Sequence, residues 1–159
     1  MLYMTLVEPY INYCNIVWAL PNKTNTLDKL LKIQKRFCRL ITFSNFREHA
    51  NPLFSQLNIL NIFSIYKLQT AVHMYKILNN YLPNSDNFQF QTNSDIHDHN
   101  TRSKNKLHKI QCKTKLRQNT FRFQGLTLWN MLPPDLRDIR PLSRFKKKTR
   151  EYLLNRQTG

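Results

Sequence analysis

Apolar residues at Leu27, Leu30, Leu31, Phe37, Cys38 and Ile41 fall on one side of a 3.6-residue period and predict an amphipathic helix over Leu27–Ile41. Asn25 is placed to cap it, and Asp28 in the first turn complements the helix dipole. Residues 2–18 read as one amphipathic helix or two half-helices, with Pro9 marking a kink or a fresh start. Pro21 to Thr24 reads as a turn, and Ser44–Pro52 breaks the pattern. Ile59–Leu82 is apolar on nearly every face, with only Lys67 and Lys76 charged, which predicts a central buried helix closed by Pro83-Asn84.

The second half is patterned differently. Asn84 to about Asn100 is polar and weakly periodic, as in a linker or exposed loop. Residues 101–124 commit to no period, so extended segments, short strands or ordering on binding all stay open. Leu126–Leu132 predicts a short packed helix stopped by Pro133-Pro134, with Trp129 in the core; Tyr13 and Trp18 are placed in the core by the same argument. Ser143 is placed to cap a last helix with Leu142, Phe145, Thr149 and Tyr152 along one side. The expected fold is mainly α: a small helical domain with a basic, partly extended or disordered segment before the C-terminal helices. Its expected parts are residues 1–83, 84–120 and 121–159.

Charge changes this picture most in the last third. The 159-residue chain carries 25 Lys and Arg against 9 Asp and Glu, a formal net charge of +16. Residues 101–159 hold sixteen basic and three acidic side chains, net +13, and eight cations fall between Arg102 and Arg122 without one acid. A field of one sign draws polyanions, although a solvated basic surface that keeps the chain soluble is the plainer alternative. Lys29, Lys32, Arg36 and Arg39, at steps of three, four and three, form a second cationic stripe on a flank of the Leu27–Ile41 helix.

Composition excludes several chemistries. Two glycines, Gly125 and Gly159, leave no Gly-rich phosphate loop and argue against a β fold full of tight turns. Three widely spaced cysteines, Cys14, Cys38 and Cys112, suit a reducing compartment better than a disulfide framework. Met1–Leu20 is interrupted by Glu8, Pro9, Asn12 and Asn15 and lacks a basic start, so neither a signal peptide nor a membrane span is expected. Asp95, His97, Asp98 and His99 lie in a polar loop without a ligand spacing that specifies a metal. His108 and Cys112 stand four apart in a basic stretch that need not be helical. Pro134-Asp135 opens a nuclease-like motif whose second carboxylate and lysine are missing. No catalytic residue, metal or cofactor is expected.

Three stretches carry a resemblance, in order along essentially the whole chain. Pro9-Tyr10-Ile11-Asn12-Tyr13-Cys14-Asn15-Ile16-Val17-Trp18 is followed by Leu31-Lys32-Ile33-Gln34-Lys35-Arg36-Phe37-Cys38-Arg39-Leu40-Ile41. Then come Thr101-Arg102, Gly125 through Trp129-Asn130-Met131-Leu132-Pro133, and Ser143-Arg144-Phe145-Lys146. Together they resemble the C-terminal region of reverse transcriptases from non-LTR (LINE-type, jockey-like) retrotransposons. The resemblance places the chain after the catalytic palm, in the thumb or its extension. The family's Asp-Asp metal-binding turn and its endonuclease are absent from this sequence, so it implies no catalysis here.

The expected function is therefore a non-catalytic piece of an RNA-directed DNA polymerase that binds RNA or RNA–DNA hybrid, in the nucleus or cytoplasm. Phosphate contacts are expected from Lys29, Lys32, Arg36 and Arg39; from Arg102, Lys104, Lys106, Lys109, Lys113, Lys115 and Arg117; and from Lys146, Lys147 and Lys148. Phe121, Phe123 and Trp129 either stack on unpaired bases or fill the core. The alternative is a structural remnant whose apolar faces packed on a polymerase palm, with no nucleic-acid role of its own.

Overall fold

The computed structural model describes residues 2–20, 24–83, 88–99 and 101–157; the Pro21–Thr24 turn and Asn84 fall wholly or partly outside this set. The described residues form eleven helices and no strand, with one isolated antiparallel bridge between Thr92 and Leu107. The fold is mainly helical, as the periodicity predicts.

Two compact units are present: residues 1–69 with 146–159, and residues 70–145. Helices α6 (Ile62–Leu78) and α11 (Leu142–Gln157) each contribute residues to both.

In the first unit, α1 (Leu2–Leu6), α2 (Glu8–Asn12) and α3 (Asn15–Trp18) stand where the sequence predicts one helix or two half-helices. Pro9 sits in the first turn of α2, where its missing N–H does no harm. Cys14 takes a left-handed φ of 47° between α2 and α3. That turn leaves Tyr13 outside, 77% exposed, so its assignment to the core is corrected. Trp18 is half-buried, and its indole N–H donates to the Tyr13 carbonyl at 2.7 Å.

Helix α4 (Thr24–Thr42) begins before Asn25, which therefore lies in the first turn and not at the cap. Its buried positions are Leu27, Gln34 and Cys38, while Phe37 and Ile41 lie on an exposed flank. Gln34 is the polar centre of this face. Its Nε2 donates to the Tyr3 hydroxyl (2.6 Å) and the Leu60 carbonyl (2.8 Å), and its Oε1 accepts the Ile62 N–H (3.0 Å). Three chain segments are tied by one carboxamide whose polar atoms are paired, as a buried amide requires.

Helix α5 (Ala50–Gln56) arises where the sequence pattern breaks, with Pro52 tolerated in its first turn. Ala50, Leu53, Phe54 and Ile59 close with Tyr3 and Cys38 into this unit's core. Burial raises the Tyr3 hydroxyl to about 12 and the Cys38 thiol to about 11. The last helix completes the unit. Gln157 accepts the Asn61 N–H (3.1 Å) and donates to the Ile59 carbonyl (2.9 Å), and Arg150 donates to the Asn58 carbonyl and stands 3.6 Å from Glu8. The first unit is thus discontinuous in sequence, whereas the second is one continuous stretch.

Helix α6 ends at Leu78, four residues before the predicted end. Asn80 takes φ 56°, its N–H bonds the Ile77 carbonyl, and the Tyr81 N–H bonds the Lys76 carbonyl. This is the left-handed closure that asparagine tolerates, and it stops the helix before Pro83 acts.

In the second unit, Met74, Tyr75 and Ile77 of α6 share a core with Leu107, Leu126, Trp129, Leu132 and Phe145. The rings of Tyr75 and Phe145 stack at 4.5 Å, and Trp129 lies 5.9 Å from Phe145, so Trp129 is a core residue as expected. Helix α9 (Phe121–Met131) starts five residues earlier than the sequence suggests. Short α7 (Asn93–Ile96), α8 (Lys115–Gln118) and α10 (Pro134–Arg137) connect the rest. Helix α11 starts at Leu142, with the Phe145 N–H bonded to the Pro141 carbonyl, so Ser143 lies inside the first turn and does not cap it.

Candidate nucleic-acid interface

The acid-free basic segment is an ordered strap in the second unit. Its backbone is tied to the preceding chain: the N–H groups of Asn93, Ser94 and His108 donate to the carbonyls of Lys106, Lys104 and Gln91 at 2.8–3.1 Å. The Asn93 side chain adds a bond to the Ser103 carbonyl (2.9 Å). From the other side, Asn130 of α9 accepts the Leu107 N–H at 3.0 Å and donates to its carbonyl at 2.8 Å. Leu107 is buried, whereas Arg102, Lys104, Lys106 and Lys109 are exposed. One apolar anchor therefore fixes the backbone while the cations face solvent. Lys113, Lys115 and Arg117 continue the exposed series through α8.

Aromatic rings accompany these cations. The Lys109 ammonium stands 4.2 Å from the centroid of Phe123, and the Arg122 guanidinium 5.9 Å from that of Phe90. Phe88 and Phe90 stack with centroids 6.2 Å apart, and Phe121 meets Phe88 and His73 edge-on. Phe88 and Phe90 were not singled out from sequence; their signal was a pair of aromatics two residues apart in an otherwise polar stretch. Burial, with Lys76 nearby, holds His73 below its ordinary value.

The other predicted cations lie in the first unit. Lys29, Lys32 and Arg36 are exposed along α4. Arg39 is partly committed: its Nε and Nη2 donate to the Glu48 carbonyl at 3.0 and 2.8 Å, and its guanidinium stands over Phe46. Lys146 and Lys147 are exposed on α11, and Lys148, also exposed, pairs with Glu151 at 3.0 Å.

The loop with Asp95, His97, Asp98 and His99 serves a local structural end. The Asp95 carboxylate accepts the Thr92 N–H at 2.7 Å in a capping box on α7, and these bonds hold it below the usual carboxylate range. Among the described residues no group of three or more His, Cys, Asp or Glu is placed to hold a metal ion. His108 and Cys112 take separate partners, Asn93 and the Ile110 carbonyl. No helix among the described residues is long and apolar enough to cross a membrane. Comparison with known proteins finds no family model, no curated protein and no solved structure that matches the chain.

Proposed function

We propose that the chain is a non-catalytic nucleic-acid-binding module, derived from the C-terminal region of a non-LTR reverse transcriptase, that grips RNA or RNA–DNA hybrid by its phosphates. The observation that supports it is the strap: exposed cations without an intervening acid, on a backbone that Asn130 and Asn93 hold in place. Cations whose backbone is already ordered contact a polyanion without the ordering cost that a disordered tail incurs. Phosphate contacts fix position and carry no sequence information, so binding is general.

The test is fluorescence anisotropy of the nuclease-treated chain with single-stranded RNA, single-stranded DNA and RNA–DNA hybrid over a salt series. Neutralising roughly six to ten phosphates on a single strand gives a log–log slope of about −4 to −7. Replacing Lys104, Lys106, Lys113 and Lys115 by Gln flattens that slope. Affinity that ignores salt, or that is unchanged by these replacements, refutes the reading.

A further inference from the structure

The first unit leaves an apolar face open. A trough of about 580 Å³ runs between the N-terminal turns and α4, with Leu6, Val7, Phe37, Leu40, Ile41 and Phe43 among its lining. Leu6 is 60% exposed, Leu40 70% and Phe43 96%. A contiguous apolar patch of this kind marks a binding surface more often than chance exposure does. The trough does not end blindly. A second hollow of about 440 Å³ shares Leu40 and Phe43 with it and is walled by Arg36 and Arg39.

The backbone at the junction adds an independent observation. Phe43 has a left-handed φ of 53°, and the Ser44 N–H closes α4 on the Arg39 carbonyl at 3.0 Å. Glycine closes a helix in this way at little cost, whereas a bulky residue is strained there. The strain holds an aromatic ring almost wholly in solvent where the two hollows meet.

Charge decides the occupant. A second copy of a chain with net charge +16 would bring its own Arg36 and Arg39 to the same rim. A nucleic-acid backbone gains nothing from an apolar floor. A helix with an apolar stripe and carboxylates beside it satisfies both parts, because the stripe fills the trough and the acids meet Arg36 and Arg39. Arg39 is already held by the Glu48 carbonyl, so its guanidinium is preorganised.

We propose that this trough docks an acidic amphipathic helix of a partner protein. The proposal does not depend on the phosphate contacts of the strap, which lies in the other unit; the two readings share only Arg36 and Arg39 on α4.

The test uses the full chain and a labelled helical peptide of about 16 residues with leucines on one face and glutamates beside them. Two controls replace the leucines by alanine or the glutamates by lysine. At about 0.15 M salt, where loose charge attraction is screened, the acidic leucine peptide should bind at least about tenfold tighter than either control. Leu40→Ala and Phe43→Gly should each reduce that binding severalfold. Phe43→Gly relieves the backbone strain but loosens the unfolded chain, so an unchanged melting curve for that variant separates loss of the contact from loss of the fold. Arg36→Glu should shift preference towards the lysine peptide.

Equal binding of the alanine-face peptide, or indifference to Leu40→Ala and Phe43→Gly, overturns the proposal. So does concentration-dependent dimerisation on a sizing column that Leu40→Glu abolishes, which assigns the trough to a second copy.

Discussion

The Asn130 carboxamide closes on both backbone polar groups of Leu107, accepting its N–H at 3.0 Å and donating to its carbonyl at 2.8 Å. A side chain 23 positions away thus replaces the strand partner that Leu107 lacks on that side, so α9 holds the basic strap by its one buried residue. Asn130→Ala should cost about 1–3 kcal/mol, the range for removing paired groups from a part-buried site. It should also speed hydrogen exchange at the Leu107 amide, read by two-dimensional NMR. Unchanged exchange at Leu107 would show that the clasp does not hold the strap.

Gln34 plays a comparable part in the first unit, where it is 1% exposed and ties Tyr3, Leu60 and Ile62. Gln34→Ala leaves the buried Ile62 N–H and Leu60 carbonyl unpaired and opens a cavity, so a loss of about 2–4 kcal/mol is expected. Gln34→Glu keeps an acceptor for Ile62 but brings a buried charge. Its urea midpoint should therefore recover on acidification, unlike that of the alanine variant.

Gly125 is packed too closely for any side chain. A Cβ there would stand 2.7 Å from the Met74 sulfur and 3.0 Å from its Cγ, and Met74 is fully buried. Overpacking of about 1–3 kcal/mol opposes the helix-propensity gain of about 1 kcal/mol that alanine brings. The expected net result is a lower Tm for Gly125→Ala. In a Met74→Ala background the same change should be neutral or stabilising, and a double-mutant cycle checks this.

Stability should fall on both sides of neutrality. His73 lies below its ordinary value of 6.5 when folded, so the unfolded chain takes up the proton first as pH falls. Its contribution is complete above that value and is lost as the solution becomes more acidic. Lys76, on the same helix, opposes the charged imidazole, and Phe121 of α9 offers an aromatic edge contact but no counter-charge. Cys38, raised from 9.0 to about 11, and Tyr3, raised from 10.0 to about 12, act in the opposite direction. Their stabilisation is complete below the ordinary values and is lost as pH rises through the folded ones. The denaturation midpoint should therefore drop as pH falls below the ordinary imidazole value of 6.5, and again as it rises above about pH 9. His73→Gln should remove much of the acid limb; if that limb is unchanged, His73 is not its source.

Some of this architecture was legible locally. The stripe through Leu27, Leu31 and Cys38 implied α4, the apolar run around Tyr66–Ile77 implied a buried α6, and the cluster around Trp129 implied a packed helix. Two of the misses lie at turns. Tyr13 looked like core because apolar neighbours surround it in sequence, yet the left-handed Cys14 turns the chain and leaves it in solvent. Asn80 ended α6 before the proline did, because a left-handed closure needs only a residue that tolerates it and two free carbonyls.

For the candidate site, the sequence by itself determined which groups are available: a run of cations without acids and a net positive charge. Charge and composition are properties of the chain and need no fold to be read. Only the tertiary structure decided that the strap is ordered, that Arg39 is tied to Glu48, that Phe88 and Phe90 stand together near Arg122, and that Gln34 is core. Each of these turns on partners that are not adjacent in sequence, such as Leu107 with Asn130 or Gln34 with Leu60, and a backbone or buried amide is satisfied by whatever the fold brings to it.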